Sequence, residues 1–203
     1  MNKYAYYKLL LVLGIFTVSV WILTSCLKTD LSQIKNIPTQ KEYKSKIIYH
    51  KDLGYYFNRQ KSFNSVQTQV PTDIQMLMLD SKYQPLDYFF WRKFNSWFKD
   101  LKFQNGIMSG VDNSEAWDCD NFAMLYKSLA SISAYKGNGN ADSAVGLVTV
   151  LQINEFGGVP AGGLHMLNIV FTSKNWYIFE PQTGEFIELH EYPNQKYIQY
   201  IIM

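Results

Sequence analysis

Between residues 85 and 103 the apolar positions Leu86, Phe90, Phe94, Trp97 and Leu101 recur at the spacing of one helical face, and Asn105-Gly106 stops the pattern. A second helix is predicted from Asn113 or Ser114 as N-cap, with Glu115 and Asp118 in its first turn, to Gly137. After "KGNGNADS" the period becomes strand-like. "AVGLVTVLQI" (144–153), "LHMLNIVF" (164–171), "WYIFEPQ" (176–182), "EFIEL" (185–189) and "KYIQYIIM" (196–203) read as strands, with "NEFGGVPAGG" as a loop and "TSKN" as a turn. Helices first and an antiparallel sheet afterwards predict an α+β domain over residues 69–203.

The first 25 residues follow a different pattern. Lys3 and Lys8 precede the apolar run "LLLVLGIFTVSVWIL", which leads through "LTSC" to Cys26. A basic start, an apolar stretch and small residues before a cleavage point are the parts of an export signal. The pattern resembles the lipobox of bacterial lipoproteins, which implies lipid on Cys26 and a protein anchored to a membrane of the cell envelope. An uncleaved transmembrane anchor is the alternative. Residues 26–68, polar and lysine-rich, are predicted to form the lipidated cysteine and a tether, with short strands such as "KIIYH".

At 203 residues and 47% hydrophobic, the chain is long enough for one buried core. A formal charge of +2 without a basic run gives no footprint for nucleic acid. Two cysteines are present, and lipid on Cys26 leaves Cys119 without a disulfide partner in an oxidising compartment.

Cys119 shares a helical face with Phe122, Tyr126 and Leu129, in the first turns, where unpaired N–H groups favour negative charge. On the strands, an even-length turn at 172–175 pairs Phe171 with Trp176, Ile169 with Ile178, Leu167 with Glu180 and His165 with Gln182. His165 and Glu180 then become diagonal neighbours on one face. A thiol, an imidazole and an orienting carboxylate are the parts of an activated nucleophile. A buried core cysteine is the bland alternative.

"WDCDNFA" and "HMLNIVF…WYIFEPQTGE", over about residues 110–190, resemble the papain-like and transglutaminase-like cysteine proteinase superfamily. They are similar to the bacterial transglutaminase-like proteinases and to the cysteine-protease domain of a fungal agglutinin. The resemblance implies a papain-like fold with N-terminal helices on an antiparallel sheet. Cys119 would be nucleophile, His165 general base and Glu180 the orienting acid. It implies an envelope cysteine hydrolase acting on protein or peptide substrates. The alternatives are a transglutaminase-type acyl transferase with the same triad, or a non-catalytic binding lipoprotein retaining the fold. The oxyanion donor would be Asn113 or Gln182. The chain departs from the pattern at Asn121, at the glutamate in the orienting position, and in lacking "DCSG".

Asp118 and Asp120 flank the thiol. They favour a helix start, and as hard oxygen donors they could hold calcium, although the chemistry needs no cofactor. His50 and His190 lack the spacing of a zinc site, and the glycines of 154–163 lack the lysine of a phosphate loop.

Overall fold

The computed structural model describes residues 34–39, 46–63, 70–71, 74–107, 118–137 and 139–203, with only the backbone of residues 58–63. The chain divides into two compact units, Met1–Ile37 and Pro38–Met203. Only residues 34–37 of the first are described, so Cys26 and the export signal lie outside the described residues. Among the described residues, no helix is long and apolar enough to cross a membrane.

In the second unit the elements run β1 (Ile48–Tyr49), α1 (His50–Phe63), β2 (Gln75–Leu77), β3 (Lys82–Gln84), α2 (Tyr88–Gln104) and α3 (Cys119–Gly137). They continue as β4 (Asp142–Ser143), β5 (Val145–Gln152), β6 (Gly163–Phe171), β7 (Trp176–Phe179), β8 (Phe186–Glu188) and β9 (Ile198–Ile202). A six-stranded sheet has the order β2-β9-β5-β6-β7-β8, and a small sheet has β1-β3-β4. The β2–β9 pair is parallel and the other pairs of the large sheet are antiparallel.

The expected order of helices first and antiparallel strands afterwards therefore does not hold. Three short strands are interleaved with the first two helices, and the sheet is mixed because β9 returns beside β2. Strands of two or three residues are too short to display a period of two, which is why their pattern was silent. Residues 46–63, expected as tether, carry β1 and α1. Leu53 and Phe57 of α1 are buried in the core, and Phe57 meets Trp176 edge-on at 5.2 Å.

Each helix forms for a local reason. Asp87 caps α2, its carboxylate accepting from the backbone N–H of Phe90 at 2.8 Å. The apolar stripe of α2 buries Phe90, Trp91, Phe94 and Phe98. The expected start of α3 at Asn113 or Ser114 is replaced by Cys119, with the first helical bond running from the N–H of Phe122 to the carbonyl of Asp118. Asn113 and Ser114 lie outside the described residues. α3 is fastened to the sheet by polar contacts as well as packing. Asn168, fully buried, donates through Nδ2 to the carbonyls of Ala123 (2.9 Å) and Gly146 (3.2 Å). Lys127 donates to the carbonyl of Val145 at 2.9 Å and lies 3.5 Å from Asp142.

The β6–β7 hairpin keeps the expected register, with Phe171 opposite Trp176 and Ile169 opposite Ile178. The ladder ends at Asn168 and Phe179, two residues sooner than the full pattern requires, so neither Leu167 with Glu180 nor His165 with Gln182 forms a strand pair. Instead the chain turns into β8. The N–H of Glu180 donates to the carbonyl of Glu185 (2.9 Å), and the N–H of Gly184 to the carbonyl of Glu180 (2.7 Å). Gly184 has a φ of 96°, a left-handed conformation that this tight turn assigns to glycine.

Candidate functional site

At the point where the hairpin ladder stops, His165 Nε2 and Glu180 Oε2 are 2.6 Å apart. Glu180 is fully buried, and His165 is 7% exposed. The second carboxylate oxygen, Oε1, accepts from the backbone N–H of Gln182 at 2.9 Å, so Glu180 is held from both sides. With Nε2 engaged, Nδ1 is the ring nitrogen left for another partner. That partner is the half-buried Cys119 at the start of α3. Burial pushes the pKa of His165 down, but hydrogen bonds to the Cys119 thiol and the Glu180 carboxylate, together with their charges, outweigh it and raise the value to about 9. The helix start, β6 and the residue after β7 thus bring Cys119, His165 and Glu180 into one polar cluster.

The other sequence candidates are placed differently. Gln182 is half-buried, and its backbone serves the turn that holds Glu180. Asn113 lies outside the described residues. Asp118 is exposed, and Asp120 Oδ1 accepts from the N–H of Asn121 at 2.9 Å. A side-chain hydrogen bond to Asp118 is the main cause raising the pKa of Asp120. Two facing carboxylates are short of a calcium cage. Among the described residues no group of three or more His, Cys, Asp or Glu gathers around a metal position. His190 pairs with Glu188 at 3.1 Å, on the other side of β8 from the turn at Glu180. The loop 154–163, expected as a mobile gate, is tied down. Phe156 packs against Tyr192 at 4.9 Å, and Gln152 Nε2 donates to the carbonyls of Val159 and Pro160.

Lys102 is the residue that the pattern of apolar positions concealed. It sits in the last turn of α2, 6% exposed, and donates to the carbonyls of Pro181 (2.5 Å) and Gln182 (2.7 Å). The rings of Phe98 and Phe122 lie 5.3 and 5.1 Å from its Nζ. Burial is the main cause of its pKa falling to about 8, while the charge of Glu180 opposes the fall. The available signal was spacing alone: Lys102 follows Phe94 and Phe98 by eight and four residues on the same buried face.

No family model matches the chain, and no curated protein matches it. Among solved structures, it is similar to a chain titled "PSL1a-E64 complex", with a TM-score of 0.50 at 16% identity over 77% of this chain and 50% of that one. It is also similar to the Polyporus squamosus lectin bound to the human-type influenza-binding epitope Neu5Aca2-6Galb1-4GlcNAc. There the TM-score is 0.45 at 18% identity, over 66% of this chain and 44% of that one. The chain thus spans about half the length of the structures it matches.

These findings correct the assignment made from the motifs. The similar structures carry the names of lectin chains, and no papain-like or transglutaminase-like family model matches. Membership of that superfamily, the papain-like fold class and the function of a cysteine hydrolase are therefore withdrawn. The physical reason is that order and spacing of a few polar residues place them on elements without defining a superfamily or a reaction. At this identity the likeness bears on the fold alone.

Proposed function

We propose that the protein is a ligand-binding protein of the bacterial cell envelope, exported and held to a membrane by lipid on Cys26. Its ligand site is the cluster of Cys119, His165 and Glu180. The observation that carries this reading is the 2.6 Å contact between His165 and a fully buried Glu180 beside a half-buried thiol. Packing does not call for such a pair, since apolar groups of similar volume serve a core as well or better. Groups with strongly shifted protonation gathered at the edge of a fold mark a functional site more often than not. The similar PSL1a chain is titled as a complex with a small molecule, which supports a binding role for a chain of this fold.

The chemistry of the cluster defines what it would hold. The imidazole, charged at neutral pH by the thiol and carboxylate beside it, is a donor for a ligand oxygen. The thiol beside it can meet an electrophilic carbon. A peptide or other carbonyl-bearing chain suits both. Nucleic acid is not part of the reading, because the chain has no basic run to neutralise phosphates.

The test uses E64, the compound named with PSL1a, an epoxide that thiolates open. The full-length protein and Cys119→Ser are incubated with it and followed by peptide mass and by protection of Cys119 from iodoacetamide. Adduct on Cys119, slowed in His165→Ala, is the expected result. Cys119 that takes up neither reagent until the protein is unfolded would mean a core thiol and end the reading.

A further inference from the structure

We infer that Lys102 is a positioning residue of this site: it pins the turn that follows β7 and so holds Glu180 against His165. The inference rests on the reading of Cys119, His165 and Glu180 as the ligand site. Its basis is a sequence of contacts. The ammonium reaches from α2 to two successive carbonyls, those of Pro181 and Gln182, at 2.5 and 2.7 Å. The N–H of the same Gln182 holds Glu180 Oε1 at 2.9 Å, while Oε2 holds the imidazole. Lys102, the 181–182 backbone, Glu180 and His165 therefore form one uninterrupted chain of hydrogen bonds.

A lysine used only as filler would snorkel its charge to water. This one keeps it inside, between Phe98 and Phe122. Phe122 lies one turn along α3 from Cys119, so the same ammonium contacts both the helix that presents the thiol and the turn that presents the carboxylate. Desolvating an ammonium is costly, and the cost is offset only where its donors are used. Here two are, on carbonyls that the tight turn leaves unpaired with any strand.

The groups that set the charge of His165 are Cys119 from α3 and Glu180 after β7, with Lys102 and Lys99 from α2 acting on Glu180 and on each other. Their signs separate two roles for Lys102. If it acted only as a nearby cation, removing it would make His165 easier to protonate. If it positions Glu180, removing it weakens the carboxylate contact and makes His165 harder to protonate.

The experiment compares wild type, Lys102→Met, Glu180→Gln and the double variant of the full chain. Titration of His165 by NMR is read beside the iodoacetamide rate at Cys119, resolved by peptide mass. Methionine fits an aromatic cage, and Lys102→Gln replaces it if that variant fails to fold. The expected result for Lys102→Met is a His165 midpoint lowered by about one unit, with about a tenfold lower proton affinity and slower labelling of Cys119. No further change should follow when it is added to Glu180→Gln. An unchanged or raised His165 midpoint, or an equal drop in the Glu180→Gln background, overturns the inference. A wild-type His165 that titrates near the ordinary ~6.5 defeats the site reading itself, and the two failures are thereby told apart.

Discussion

The ring of Tyr126 lies 4.4 Å from that of Phe179, the residue immediately before Glu180. Tyr126 is also two turns along α3 from Cys119, on the same face. The helix that presents the thiol and the strand that presents the carboxylate are thus joined by a single buried ring contact.

Tyr126 is fully buried, and its hydroxyl donates to Asn95 Oδ1 on α2. Tyr126→Ala is expected to destabilise the fold by about 3–5 kcal/mol, as for other large-to-small changes in a core, and to slow labelling of Cys119 as α3 loosens. Tyr126→Phe keeps the ring and loses only the donor, for about 1–2 kcal/mol. Urea unfolding of the two variants separates ring packing from the hydrogen bond.

The raised pKa of His165 makes stability depend on pH in a defined direction. The native state holds its proton up to about 9, and the unfolded state releases it near the model value of 6.5. The stabilisation is fully present below pH 6.5 and is lost as pH rises to 9. Lys102 works in the opposite sense. Its native pKa of about 8 lies below 10.5, so its charged form destabilises the fold below pH 8, and this is relieved between 8 and 10.5. Denaturation across pH 6 to 10 is expected to show stability falling first. That fall should be absent in His165→Ala.

Gly146 is a position where the sheet admits no side chain. A Cβ there would meet the carbonyl of Ile202 at 2.6 Å and Met203 Sδ at 2.7 Å. Backbone does not yield as a flexible side chain does, so Gly146→Ala is expected to part β5 from β9 at a cost of about 1–3 kcal/mol. A lowered urea midpoint, with Gly158→Ala as a control in open space but at positive φ, checks the prediction.

Periodicity located the long elements well. The stripes of α2 and α3 and the strands β5 to β9 were legible because each is long enough to repeat its period. The hairpin register was legible too, since one even-length turn fixed it. What escaped detection depended on distant partners. β1, β2 and β3 exist only because β9 or a neighbour pairs with them. α1, with mean polarity high enough to read as tether, is an element through Leu53 and Phe57. Within the site, His165 and Glu180 could be placed on adjacent strands from spacing. Lys102 could not, because its contacts are with backbone carbonyls 79 and 80 residues away, which no local pattern encodes.

The position of β9 has a consequence for how this protein comes into being. It is the last strand made, yet it lies inside the sheet, with β2 on one side and β5 on the other. Until the ribosome has released residues 198–202, β2 has nothing to pair with and β5 presents a bare edge. A nascent chain of this topology cannot complete its sheet during synthesis, which suits a protein that must cross a membrane before it folds.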